Sequence, residues 1–209
     1  MKQFKIKHTR YIIPLEYKST TEYKVALNII REWQEDAEYD ITLDLCDKNL
    51  KWLPPLPRNL QELDCSYNKL TSLPPLPKTL KILDCTANEL NRLQPLPNTS
   101  LQRLNCSNNK LAKIKTLCSL HELNCSYNDL TSLPHLPNSL VKLNCNWCLL
   151  TTLPTLSISL RELYCCNNKL TYLPKLLETN LERLDCRYNL LTSIPEFNID
   201  LEITYRNDF

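Results

Sequence analysis

From Leu60 onward the apolar positions recur in a fixed order. In LQELDCSYNKLTSLPPLPKT they are Leu60, Leu63, Cys65, Leu70, Leu73 and Leu76. Full copies begin at Leu60, Leu80, Leu101, Leu120, Leu140, Leu160 and Leu181, at spacings of 20, 21, 19, 20, 20 and 21 residues. A half copy precedes them (Leu43 to Pro57) and another follows from Leu201. A fixed period of this length predicts a stacked solenoid in which each copy is one coil. Leu63 and Cys65 alternate with Glu62, Asp64 and Ser66, which predicts a short strand with the first pair inside. Asn68 follows where the chain must turn, and its amide can donate and accept at once to its own coil and the next. Pro74 and Pro77 fix φ and lack an N–H, so the return path should be extended and not helical.

The predicted fold class is therefore a repeat solenoid. It has a parallel sheet on the concave face, an extended, polyproline-like convex side and a short helical N-terminal cap. Residues 1–40 form the arm and cap, and 41–209 the solenoid, with seven full repeats from position 60 and a half repeat at each end. Ser19 to Ala37 carries Tyr23, Ala26, Leu27, Ile30, Trp33 and Ala37 at helical spacing, and Ser19 with Glu22 fits a capping box. This helix is placed to cover the first coil. Before it lies a basic stretch with Lys2, Lys5, Lys7, Arg10 and Lys18 against Glu16 alone. Three departures from the repeat stand out. IKTLCS (114–119) replaces a proline-rich return, Cys148 takes an Asn position, and Leu173 to Asn180 is one residue longer. The last half copy places Thr204 and Arg206 at inward positions and leaves a strand edge uncovered.

Composition narrows the chemistry. The chain of 209 residues has a net charge of +2, which points to neither nucleic acid nor membrane as partner. Glycine is absent, where about 7% is usual, so turns needing positive φ should fall to Asn or Asp. Of eleven cysteines, Cys65, Cys85, Cys106, Cys125, Cys145, Cys165 and Cys186 share one repeat position. An odd total in strict register opposes a disulfide framework and predicts a buried row of free thiols in a reducing, cytoplasmic compartment. No apolar run has the length of a signal peptide or a membrane span.

LPPLPRNLQELDCSYNKLTSLPPLP resembles the short leucine-rich repeats of bacterial effectors of the IpaH and YopM type, and TEYKVALNIIREWQEDA (21–37) is similar to their helical cap. The resemblance covers roughly 21–209. Cys in place of the usual aliphatic residue resembles repeat proteins of giant DNA viruses of amoebae. The ubiquitin-ligase domain that follows the repeats in IpaH-type effectors has no counterpart in the sequence. The resemblance thus implies a recognition module acting in a host-cell cytosol, or an adaptor for ubiquitin transfer, without the ligase.

Strand parity sorts the concave face into columns. The first is Thr42, Glu62, Ile82, Arg103, Glu122, Lys142, Glu162, Arg183. The second is Asp44, Asp64, Asp84, Asn105, Asn124, Asn144, Tyr164, Asp185. The third is Cys46, Ser66, Thr86, Ser107, Ser126, Asn146, Cys166, Arg187, and the fourth is Asp47, Tyr67, Ala87, Asn108, Tyr127, Trp147, Asn167, Tyr188. Asp44, Asp64 and Asp84 would stack about 5 Å apart with like charge. The expected binding residues are Asp44, Asp64, Asp84, Tyr67, Tyr127, Trp147, Tyr164, Arg187 and Tyr188, an acidic and amide-lined groove for a basic or polar protein segment with aromatic anchors.

Other classes fit less well. Cys145 and Cys148 form a C-x-x-C without a second pair or a His at ligand spacing, so no metal or cofactor is expected. Cysteine catalysis would need an exposed thiol beside His8, His121 or His135, and none is expected. Cys46 and Cys166 point outward by parity. The chain reads as non-enzymatic, with a protein partner of unknown identity. The alternative is a structural protein forming a weak homodimer through its C-terminal edge.

Overall fold

The structure, a computed structural model, describes residues 11–35, 41–97, 100–117, 119–197 and 202–204. Most of the basic arm, Ala37, Cys118, Arg206 and the side chain of Thr204 fall outside these residues. Nine strands of three residues each follow one another as a single parallel sheet in sequence order: β1 (Thr42–Asp44), β2 (Glu62–Asp64), β3 (Ile82–Asp84), β4 (Arg103–Asn105), β5 (Glu122–Asn124), β6 (Lys142–Asn144), β7 (Glu162–Tyr164), β8 (Arg183–Asp185) and β9 (Glu202–Thr204). We number the coils by their strands. The register places Leu43, Leu63, Leu83, Leu104, Leu123, Leu143, Leu163, Leu184 and Ile203 side by side, so the one-coil repeat is the structural repeat. In the last strand the inward position is therefore Ile203, which packs against the core, and not the expected Thr204, which pairs with the outward Asp185; the last half copy starts one residue earlier than its leucine spacing indicates.

Inside the coil lie the residues the pattern predicts. Cys65, Cys85, Cys106, Cys125, Cys145, Cys165 and Cys186 are fully buried, and all are free thiols. Burial pushes their thiols up, to about 12 for Cys106 and Cys186, because a thiolate would lose its hydration. These cysteines therefore act as small apolar residues.

The Asn at each turn forms a ladder. Asn68 Nδ2 donates to the Cys65 and Ser66 carbonyls of its own coil and to Leu45 of the coil before, while its Oδ1 accepts from Leu50 N at 2.8 Å. Asn88, Asn109, Asn128, Asn168 and Asn189 repeat this, each accepting from the Leu amide one coil back: Leu70, Leu90, Leu111, Leu150 and Leu170. Each amide thus satisfies backbone groups that would otherwise be buried without partners.

Absence of glycine has a different outcome from the expected one. Asp47, Asn108 and Asn167 do take φ near +52°, but so do Tyr67, Ala87, Tyr127, Trp147 and Tyr188. The left-handed region costs such residues roughly 1–2 kcal/mol each. Here the next coil holds them. Tyr67 N donates to the Thr86 carbonyl, Ala87 N to Ser107, Tyr127 N to Asn146 and Trp147 N to Cys166, at 2.9–3.0 Å.

The proline-bearing return segments contain neither helix nor strand. Where IKTLCS replaces them, Ile114 and Leu117 still fill the interior. The extra residue of coil 7 is absorbed in a turn in which buried Thr179 donates through both N and Oγ1 to the Leu176 carbonyl.

At the N-terminus a short helix, α1 (Leu15–Lys18), precedes α2 (Thr21–Glu35). The cap residue is Thr20, not Ser19: Thr20 Oγ1 accepts from Tyr23 N, whereas Ser19 Oγ donates back to Glu16. Both hydroxyls suit the role, and the α1 turn decides which one faces the open amides. Ala26, Ile30 and Trp33 join the solenoid core, so α2 covers coil 1 as expected. Tyrosines fasten the lead-in. Tyr11 Oη donates to Leu53 O and accepts from Leu53 N, and Tyr17 Oη accepts from Lys51 N. Among the described residues no helix is long and apolar enough to cross a membrane.

Candidate functional site

The strand side chains that do not point inward form the concave face, and its first column is a charge ladder. Arg103 pairs with Glu122, Lys142 with Glu162, and Arg183 with both Glu162 and Glu202, at 2.8–3.7 Å. Glu162 is the hub. The Lys142 ammonium holds its carboxyl below the usual range, against a smaller effect of burial. Lys142 also lies over the Tyr164 ring, 5.5 Å from its centroid, and Tyr164 Oη donates to Glu162. Coils 4 to 9 thus carry charges that neutralise one another.

The second column is built differently. Each Asp or Asn in it caps its own coil, accepting the backbone N–H two residues on: Asp44 from Cys46, Asp64 from Ser66, Asp84 from Thr86, Asn124 from Ser126 and Asn144 from Asn146; at Tyr164, which has no such acceptor, Cys166 N turns instead to Asn146 Oδ1 of the coil before. Carboxylate and amide serve this turn equally. In coils 1 to 3 the residue is Asp, and only Asp84 gains a cross-coil amide partner, Asn105 Nδ2 at 3.0 Å. The register sets Asp44, Asp64 and Asp84 next to one another. The first three coils therefore present an acidic band in which Glu62 has a hydroxyl partner, Thr42. At the other end Asp185 is closed off by a two-point pair with Arg187 Nε and Nη2. Burial raises that carboxyl, and Arg187 more than offsets it, so its pKa is lowered on balance.

A groove of about 310 Å³ runs over the middle of the face, lined by Ile82, Asp84, Arg103, Asn105, Glu122, Asn124, Lys142 and Asn144. The aromatic residues singled out from the sequence do not line it. Tyr67, Tyr127, Trp147 and Tyr188 stand at the left-handed corners, where the chain leaves the sheet, and are 62%, 53%, 51% and 45% exposed. Tyr127 and Trp147 stack, with centroids 5.6 Å apart and planes 8° from parallel. Of the nine expected residues, the structure thus places Asp44, Asp64, Asp84 and Tyr164 on the strands, Arg187 against Asp185, and four rings along one rim. The groove-lining set Ile82, Arg103, Asn105, Glu122, Asn124, Lys142 and Asn144 was not singled out. Its signal in the sequence is the same column parity, without the emphasis on charge and aromatics.

Cys166, outward by parity, is nonetheless covered: it is buried, as are its column mates Ser66, Ser107 and Ser126, but it lies outside the apolar core, and its Sγ accepts from Asn167 Nδ2. Cys46 is half-buried. Among the described residues, Asp44, Cys46 and Asp64 bring ligand atoms within 4.8 Å of one another, but Oδ1 of each Asp is committed to its turn. Cys145 and Cys148 are both buried, and the Cys148 thiol donates to the Cys125 carbonyl. His121 and His135 are exposed, away from the buried thiol row.

Residues 58–98 match the family model for leucine-rich repeats (2 copies). The fold is similar to YopM, a leucine-rich effector protein from Yersinia pestis, with a TM-score of 0.79 and 31% identity over 91% of this chain; the chain spans 59% of that protein's length. It is similar also to a Shigella effector leucine-rich repeat domain, with a TM-score of 0.76 and 32% identity over 85% of this chain and 83% of that one. No curated protein sequence matches the chain.

Proposed function

The chain belongs to the leucine-rich repeat family in its bacterial-effector form, and on that premise we propose that it is a non-enzymatic scaffold that binds a protein partner across its concave face and the adjoining aromatic rim. The Tyr127–Trp147 stack carries this reading. Two large rings half in solvent add nothing to the core, and Tyr and Trp are the residues that dominate binding hot spots. The surface as a whole gives the partner its chemistry. The acidic band Asp44, Asp64 and Asp84 suits a basic segment, the amide-lined groove a polar one, and Tyr67, Tyr127, Trp147 and Tyr188 supply anchors, while Tyr164 and Arg187 are held in place by Glu162 and Asp185. Free thiols throughout the described residues favour a reducing cytosol as the working compartment.

The test is affinity capture from a host-cell lysate with Tyr127→Ala and Trp147→Ala as controls. The partner should be lost from both variants while thermal unfolding stays close to that of the unmodified protein. Capture at unchanged yield would count against the rim. A second reading is self-association, since β9 ends the sheet and pairs with β8 alone among the described strands. Light scattering across concentrations separates the two: a strict monomer removes the second reading.

A further inference from the structure

Among the boundaries of the full coils, one is joined less well than the others. At every full coil but one, an Asn links its own turn to the coil before, through a donated Nδ2 bond and an accepted Leu N–H. In coil 6 the residue is Cys148. Its thiol has one proton to offer, and two carbonyls share it at long range, Cys125 at 3.4 Å and Asn146 at 3.6 Å. The Leu130 amide, which an Asn would receive, faces a sulfur, a weak acceptor. Other links across this boundary are kept. Cys125 N still donates to Asn144 O, Tyr127 N to Asn146 O and Val141 N to His121 O, and the Tyr127–Trp147 stack spans the same two coils.

We infer that the solenoid has a built-in opening plane between coils 5 and 6, set by Cys148 in the Asn ladder, where it parts into two blocks before either block unfolds. Stability in a stacked array is the sum of coil and boundary terms, so the weakest boundary is where sub-global opening occurs first. Opening there lets the acidic first half of the concave face change its angle to the second half, with the aromatic stack acting as the clasp. This holds whether or not the concave face binds a partner.

Native-state hydrogen exchange on the full chain reads it directly. Leu111 and Leu150 occupy the Leu130 position in the neighbouring coils and donate to Asn128 and Asn168. Leu130 should exchange about tenfold faster than either. Cys125, Tyr127 and Val141, which cross the boundary, should exchange at that same raised rate, ahead of Cys106, Asn108 and His121, their counterparts one coil earlier. Cys148→Asn should return all four to their neighbours' rates. A fast Leu130 with boundary amides as slow as their counterparts would reduce the feature to a single missing bond and overturn the proposal, as would a Leu130 no faster than Leu111 and Leu150. The comparison within the unmodified chain decides the matter even if Cys148→Asn does not fold.

Discussion

Replacing Asn128 by Ala removes one rung of the ladder. The side chain is 6% exposed, and its Nδ2 lies 3.0–3.1 Å from the carbonyls of Cys106, Cys125 and Ser126, while Oδ1 accepts from Leu111 N at 2.9 Å. Two amide protons serve three carbonyls, so the full count is three bonds. At about 1 kcal/mol net each, with a further cost for stranding the buried Leu111 N–H, the loss should be about 3–4 kcal/mol. That is a large share of the roughly 5–15 kcal/mol that holds a typical domain folded. Asp129→Ala, one residue on and exposed, should stay within about 0.5 kcal/mol of the unmodified protein. Urea denaturation followed by circular dichroism measures both. A loss under about 1 kcal/mol for Asn128→Ala would refute the claim that the Asn row joins the coils.

Three further outcomes follow from the same geometry. Ala87 sits at φ 53°, so Ala87→Gly should gain up to about 1 kcal/mol, the steric relief being partly offset by a freer unfolded chain; a destabilised variant in urea would contradict this. Tyr11→Phe removes the hydroxyl that both donates to and accepts from Leu53, and should cost about 1–2 kcal/mol in the same assay, with no cost refuting the fastening role. Glu162 and Asp185 both have lowered pKa values in the folded protein, from ordinary values of 4.5 and 3.8. Folded values below unfolded ones mean that their stabilisation is complete above the unfolded pKa and is lost as pH falls through the folded one. Tm should therefore be level from neutral pH to about 5 and fall below about 4. Glu162→Gln with Asp185→Asn should shrink that fall, and an unchanged acid slope would contradict the assignment.

The coil was legible in the sequence because its causes are local and repeated. Leucine spacing, parity over three strand residues and a prolyl return leave few other arrangements. The longer helix of the cap was legible to within one hydroxyl, Ser19 against Thr20; the one-turn α1 before it, which makes that choice, was not, because four residues carry no helical periodicity. The corners were less so. An isolated chain favours Asn or Asp at positive φ, and the cross-coil bonds that hold Tyr67, Ala87 and Trp147 there appear only once neighbouring coils are stacked. The same stacking covers Cys166, which strand parity alone leaves exposed. On the concave face the acidic column was readable, since Asp44, Asp64 and Asp84 share a register position. The self-neutralising ladder from Arg103 to Glu202 was not, because charges seen as a column become pairs only when side-chain reach across strands is known.

Each repeat returns to one place in the stack, and the row of thiols reports it. Alkylation by iodoacetamide without reductant, read by peptide mass, should leave Cys65, Cys85, Cys106, Cys125, Cys145, Cys165 and Cys186 unmodified in the folded protein. All seven should be modified once guanidinium unfolds it. Rapid native labelling along the row, or members still resistant after unfolding because they are disulfide-bonded, would contradict the stacked coil and the surface columns derived from it.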